Sequence, residues 1–124
     1  APSGLRRGNA MPVRGSCHCG RIAYTADVEP TQAIECNCSI CRRKGSVLAA
    51  IAPEAFHLET SRDDIAVYTF NRHAIRHQFC KTCGCAPFAE GTGPDGRPMV
   101  VLNLRCAEVD LSTITIMPFD GASL

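Results

Sequence analysis

Cysteine is the residue type with the most chemistry in this chain, occurring nine times in 124 residues. Seven of these thiols form three tight clusters: a C-x-C at Cys17 and Cys19, a C-x-C-x-x-C at Cys36, Cys38 and Cys41, and a C-x-x-C at Cys80 and Cys83. Neighbours this close do not pair easily as disulfides, and the count is odd. Clustered thiolates are typical of metal sites, and zinc is the ion most often bound in this way. The spacing therefore predicts zinc binding rather than a disulfide framework.

The clusters divide into a set of four thiols and a set of three. The four outer thiols are Cys17, Cys19, Cys80 and Cys83. They would close a tetrahedral shell around one ion and join distant parts of the chain as a structural clasp. The central cluster of Cys36, Cys38 and Cys41 would hold a second ion and leave one coordination position for a ligand from outside. We therefore expect two zinc ions per chain, one structural and one open to substrate.

An open zinc position suits a thiol substrate. A thiol that binds zinc loses its proton and becomes the nucleophilic thiolate, so a carbonyl compound such as an aldehyde is a sensible reaction partner. Arg42, Arg43 and Lys44 follow the central cluster directly and could bind the carboxylates of an acidic thiol. These residues could instead offset thiolate charge or face solvent. For any one of the three, such a role is slightly favoured over carboxylate binding.

Other divisions of the nine thiols are open at this point. One four-thiolate site could exist alone and leave three free or redox-active thiols. Cys85 or Cys106 could instead supply the fourth ligand of the second site. Cys85 is the stronger candidate because it lies two residues after Cys83, on the same face of a strand. An isolated cysteine is most often a buried free thiol, which is the favoured interpretation of Cys106.

The elements that must position these thiols are short strands separated by turns, and this pattern predicts a mainly β fold. A strand over 33–38 is expected to point its two thiols to the same face. A helical turn over 39–44, with Ser39 as its N-cap, would bring Cys41 to the same point. Gly84 directly follows the C-x-x-C and is expected to relieve the turn at its sulfurs.

Length and composition limit the possible functions. The chain length predicts one domain, placed at residues 15–124 and preceded by a disordered or cloning-derived extension over residues 1–14. Residues 1–12 contain no apolar signal-peptide core, so we expect a reducing, cytoplasmic setting. The net charge of +1 gives no broad field for nucleic acid, and no apolar stretch is long enough to span a membrane. We therefore expect neither a nucleic-acid nor a membrane partner.

Four segments carry a specific pattern: GSCHCGRIAY, CNCSICRRKGS, FCKTCGCAPF and VLNLRC…FDGASL. Together they resemble the family of glutathione-dependent formaldehyde-activating enzymes, to which centromere protein V also belongs. The resemblance implies a small zinc-stapled β-sandwich of the β-tent type, as in the methionine sulfoxide reductase B group. It also implies that the four outer thiols hold a structural zinc, while Cys36, Cys38 and Cys41 hold a second, catalytic zinc.

The resemblance further implies an activity. The named enzymes condense glutathione with formaldehyde to S-hydroxymethylglutathione and are classed as carbon–sulfur lyases. The expected partner is therefore a small thiol such as glutathione. An alternative interpretation of the same thiols is a non-catalytic zinc-binding module that contacts protein or nucleic acid. Near-neutral charge and few aromatic residues argue against the nucleic-acid version.

Overall fold

Strands dominate the computed structural model, which describes residues 12–70, 74–93 and 95–123. The predicted mainly β fold is confirmed, because these residues form ten strands, several 3₁₀ turns and the single helix α1, Ser39–Lys44. The strands are β1 Val13–Ser16, β2 Ala23–Ala26, β3 Gln32–Cys36, β4 Leu48–Ile51, β5 Phe56–Leu58, β6 Ile65–Tyr68, β7 Ile75–Cys80, β8 Phe88–Thr92, β9 Pro98–Asn103 and β10 Thr115–Phe119. In this part of the chain, no helix has the length and apolar character needed to cross a bilayer.

Strand β1 begins before residue 15, where the sequence places the start of the domain. Its first residue, Val13, is buried, and its pairing with β2 runs along the whole strand. The strand holds only one β-branched residue, so pairing rather than intrinsic preference accounts for it. Residues 1–11 of the predicted extension lie outside the described residues. The division of the chain into an extension and one domain stays a prediction.

The strands form two sheets. The smaller sheet has the order β1-β2-β5, and the larger has the order β10-β3-β4-β9-β8-β7-β6. The described pairings are antiparallel except that of β10 with β3, which is parallel. Because parallel neighbours run in the same direction, β10 and β3 end at the same edge of the larger sheet. Their last residues, Phe119 and Cys36, are register partners.

Three aromatic rings pack the two sheets together. Tyr24 and Phe56 belong to the smaller sheet, and their ring centroids lie 5.3 Å apart. Phe88 belongs to the larger sheet and lies 4.7 Å from Phe56. Tyr24 and Phe88 are both buried. Such ring pairs contribute about 0.5–1.5 kcal/mol beyond the burial of their surface. The core therefore lies between the sheets, as in a sandwich.

The helical turn predicted over 39–44 is observed as α1, but the prediction that Ser39 is its N-cap is wrong. Cys38 occupies the N-cap position, with φ −65° and ψ 164°. Its carbonyl accepts a helical hydrogen bond from the Arg42 N–H at 2.9 Å. Ser39 is already inside the first turn, and no side chain caps this end of the helix.

We predict that Gly15→Ala destabilises the fold, because the Tyr24 ring lies against the backbone of Gly15. A Cβ at this position would lie 2.5 Å from Tyr24 Cζ. The free energy of unfolding should fall by about 1–3 kcal/mol, the usual cost of overpacking a core. Urea denaturation followed by circular dichroism measures the change. Gly93→Ala is the control, because its Cβ would have Asp95 Oδ1 at 3.3 Å as its nearest atom. Equal stability of the two variants would contradict the prediction.

Candidate metal centres

Four of the thiols predicted to bind metal converge between elements of the two sheets. Cys17 and Cys19 follow β1 of the smaller sheet, Cys80 ends β7 of the larger sheet, and Cys83 lies in the turn after β7. Their four sulfur atoms all lie within 4.8 Å of one another. The Cys19 sulfur is 3.6 Å from the sulfurs of both Cys17 and Cys80. This outer group therefore joins segments that are distant in the chain, as the spacing predicts.

The separations in the outer group fit a zinc ion. Thiolate sulfurs about 2.3 Å from one centre, at tetrahedral angles, are roughly 3.8 Å apart. Backbone N–H groups also face the sulfurs: Ile22 N–H donates to Cys17 Sγ at 3.3 Å, and Thr82 N–H donates to Cys80 Sγ at 3.3 Å. Such hydrogen bonds stabilise the thiolate, which is the form that binds metal.

Gly84 shapes the turn that carries Cys80 and Cys83. Its φ of +84° lies in the left-handed region, which residues with a side chain rarely adopt. Its N–H donates to the Cys80 carbonyl at 2.9 Å and closes the turn. The predicted role of this glycine in relieving the turn is confirmed.

Two of the outer thiols, Cys17 and Cys83, have widely separated pKa values. Burial raises the pKa of Cys17 to about 11. Hydrogen bonds from the backbone of Cys85 and Cys19 lower the pKa of Cys83 to about 6. The group therefore does not ionise as a whole near neutral pH by itself. A cation bound between the sulfurs would stabilise all four thiolates together, because each charge would face the ion rather than only its like-charged neighbours.

The three central thiols converge at the junction of β3 and α1. Cys36 is the last residue of β3, Cys38 precedes α1, and Cys41 lies in the first turn of α1. Their sulfur atoms also lie within 4.8 Å of one another, and all three residues are half-buried. The Cys38 N–H donates to Cys36 Sγ at 3.5 Å. The three thiols come together as predicted, but the strand predicted over 33–38 ends at Cys36, and Cys38 is the N-cap of α1 rather than a strand residue.

The donor set of the central group fits one zinc ion with a position to spare. Among the described residues, no fourth cysteine, histidine or carboxylate joins the group. Burial raises the pKa of Cys41 to about 12. Desolvation also acts on Cys38, but hydrogen bonds from the backbone and side chain of Cys41 outweigh it and lower the Cys38 pKa. Three soft sulfur ligands are typical of a site that takes zinc and binds its fourth ligand from solution.

Cys85 and Cys106 join neither group within the described ranges. Both are half-buried free thiols. Cys106 Sγ donates to the Ala86 carbonyl at 3.8 Å and lies 3.7 Å from Asn103 Nδ2. Burial raises the pKa of Cys106, which keeps this thiol protonated. Neither cysteine therefore supplies the fourth ligand that one alternative assigned to it.

A groove along one face of α1 is a feature that the sequence pattern does not reveal. It has a volume of about 330 Å³ and is lined by Ser39, Ile40, Arg43, Tyr68 and Phe70. The Tyr68 and Phe70 rings stack with their centroids 5.9 Å apart, although Tyr68 is 52% exposed. The groove combines residues of α1 with residues at the end of β6, which stand far apart in the chain. Only the exposed aromatic pair could have signalled it.

Comparison with known proteins gives one family and one fold. A family model described as glutathione-dependent formaldehyde-activating enzyme matches residues 12–113. A crystal structure of a Rhodobacter sphaeroides protein is similar to this chain with a TM-score of 0.72 and 23% sequence identity. The similarity covers 84% of this chain and 98% of that chain. At this identity, the similarity to the Rhodobacter protein shows the fold alone.

We predict that the two thiol groups bind zinc with different consequences for stability. Cys36→Ser should remove one zinc per chain and leave the protein folded. Cys80→Ser should abolish cooperative unfolding, because structural zinc contributes on the order of 10 kcal/mol, which is comparable to the net stability of a domain. Elemental analysis and denaturation monitored by circular dichroism measure both effects, with Cys106→Ser as the control that keeps both ions. A single zinc that is lost with Cys36→Ser and kept with Cys17→Ser would contradict the division into two groups.

Proposed function

The chain belongs to the family of glutathione-dependent formaldehyde-activating enzymes, and on this basis we propose that it is a zinc-dependent enzyme of the carbon–sulfur lyase type. Its substrates would be glutathione and formaldehyde. The observation that supports the proposal most strongly is the central group, in which Cys36, Cys38 and Cys41 converge without a fourth protein ligand among the described residues. A closed group of four thiolates would leave no room for a substrate thiol.

The proposed reaction forms one carbon–sulfur bond. The glutathione thiol gives up its proton, and its sulfur attacks the carbonyl carbon of formaldehyde. The electron pair of the carbonyl π bond moves to oxygen, which takes up a proton, so that the product is S-hydroxymethylglutathione. Zinc held by Cys36, Cys38 and Cys41 would supply the positive charge that keeps the substrate thiol ionised near neutral pH. The reverse reaction breaks the same bond, which explains the lyase class.

The outer group has a structural role in this proposal. Cys17 and Cys80 are 2% and 0% exposed and belong to the hydrophobic core between the sheets. A substrate therefore has no access to these two sulfurs. Their contribution is to hold the end of β1 against the end of β7. A cluster of reduced thiols of this kind persists in a reducing compartment, so we place the protein in the cytoplasm.

The groove along α1, the helix that also carries Cys41, would bind the part of glutathione that does not react. Its volume of about 330 Å³ lies in the range typical of small-molecule sites. Glutathione carries two carboxylates, and the last turn of α1 presents Arg42, Arg43 and Lys44. Arg43 lines the groove and also donates to the Ser39 carbonyl at 2.8 Å, which fixes the direction of its side chain. A guanidinium held in this way is suited to orient a carboxylate.

We predict that glutathione changes the spectrum of the cobalt-substituted protein. Its thiolate would enter the coordination shell of the central ion, so that the thiolate-to-cobalt absorption should grow as glutathione is titrated to millimolar concentration. S-methylglutathione, which has no ionisable thiol, should leave the spectrum unchanged. The Cys36→Ser protein should not respond to either compound. An unaltered wild-type spectrum at millimolar glutathione would count against the proposed function.

We also predict that Arg43→Ala weakens the binding of glutathione. Its KM should rise about three- to fivefold with little change in kcat, because an exposed charge pair contributes up to about 1 kcal/mol. Initial rates at saturating formaldehyde measure the change. Arg97→Ala is the matched control, since Arg97 is exposed and does not line this groove. The zinc content of both variants should equal that of the wild type. An equal KM in the two variants would rule out the groove as the site of the carboxylate contact.

A further inference from the structure

Residues 119–123, called here the C-terminal turn, lie against the central thiol group. The backbone of Gly121 lies so close to the Cys36 sulfur that a Cβ on Gly121 would be 2.3 Å from Cys36 Sγ and 3.5 Å from Cys38 Cβ. No real Cβ contact is that short, so only glycine fits at this position without a shift of the sulfur. The turn therefore places backbone directly against the sulfur of Cys36.

The parallel pairing of β10 with β3 brings the turn to this place. Phe119, the last residue of β10, is the register partner of Cys36, the last residue of β3. The Asn37 N–H donates to the Phe119 carbonyl at 3.1 Å, which extends the contact by one residue beyond both strands. The chain then bends, and Gly121 meets the sulfur of Cys36.

Asn37 fixes the C-terminal turn with both polar atoms of its side chain. Its Nδ2 donates to Asp120 Oδ1 at 2.9 Å, and its Oδ1 accepts from the Ala122 N–H at 2.8 Å. The other carboxylate oxygen of Asp120 accepts from the Ser123 hydroxyl at 2.7 Å. Asn37 is itself exposed and stands between two of the central thiols in the chain. The Asn37 side chain therefore donates one hydrogen bond and accepts another, and both partners belong to the same turn.

We propose that Asn37 and Gly121 are positioning residues of the central metal site. Asn37 holds the C-terminal turn in place, and the backbone of Gly121 then confines the sulfur of Cys36 to the position in which it converges with the other two. Neither residue takes part in the reaction. The inference rests on the proposed function in one respect, namely that the three central thiols hold zinc.

The first test is Gly121→Ala in the zinc-loaded full chain. Competition with a chromophoric chelator measures the zinc affinity of each site. We expect the central zinc to bind at least about tenfold less tightly than in the wild type, because the added Cβ would displace the sulfur of Cys36, and disturbing the groups that orient a metal ligand typically costs 10- to 100-fold in metal affinity. The zinc of the outer group should be unaffected. Gly93→Ala is the matched control and should behave as the wild type, because its added Cβ meets no atom closer than 3.3 Å.

The second test uses variants of Asn37, which we expect to fold because this residue is exposed. Asn37→Ala removes both contacts to the turn and should also weaken the central zinc about tenfold. The double variant Asn37→Asp with Asp120→Asn keeps the net charge and restores a carboxylate–amide pair in the opposite sense. Acceptors remain for the Ala122 N–H and the Ser123 hydroxyl. The double variant should therefore recover most of the lost affinity, which a general loss of stability would not explain.

The outcomes separate this inference from the proposed function. A wild-type chain that binds two zinc ions, with Gly121→Ala and Asn37→Ala binding both as tightly, would overturn the positioning role alone. A wild-type chain that binds no zinc at the central group would remove the proposed function and the positioning role with it. Selective weakening of the central zinc in both single variants, with recovery in the double variant, supports the inference.

Discussion

The Cys19 sulfur lies 3.6 Å from the sulfurs of Cys17 and Cys80. Thiolates this close repel one another, so they carry negative charge together in a protein interior only when a cation lies among them. Two of these sulfurs, from Cys17 and Cys80, also belong to the hydrophobic core. The same atoms therefore pack the interior and offer the ligands for an ion. Because β1 and β7 belong to different sheets, an ion bound there would add to the aromatic contacts between the sheets. Metal binding at the outer group would therefore be coupled to folding.

The central group is built differently, because its three thiols are half-buried and lie at the edge of the larger sheet rather than in the core. The backbone of Gly121 contacts the central group, and α1, which carries Cys41, also lines a groove together with the end of β6. The two groups thus differ in their surroundings more than in their ligand chemistry. Two sulfurs of the outer group lie in the core, whereas all three residues of the central group are half-buried.

The sequence predicts those parts of the site that depend on local geometry. The strand expected over 33–38 ends at Cys36, and Cys38 is the N-cap of α1. The convergence of Cys36, Cys38 and Cys41 still follows from their spacing, because the helical turn after the strand is local structure. The C-x-x-C-G pattern predicts the left-handed Gly84 for the same reason. Asn37 contacts Asp120 and Ala122, which lie 83 and 85 positions later in the chain. No local preference encodes these contacts. The groove likewise depends on residues of α1 and of the end of β6, which lie far apart in the chain.

The parallel pairing of β10 with β3 has a consequence for the order in which the molecule assembles during synthesis. The last sulfur of the outer group is at residue 83, so that group is complete before β8, β9 and β10 are made. The central group has all three sulfurs much earlier, by residue 41. The C-terminal turn that contacts it is made only with residues 119–123. An ion could therefore bind the outer group of a ribosome-bound chain before the central group has its full surroundings. The central group reaches its final form only after residues 119–123 have left the ribosome.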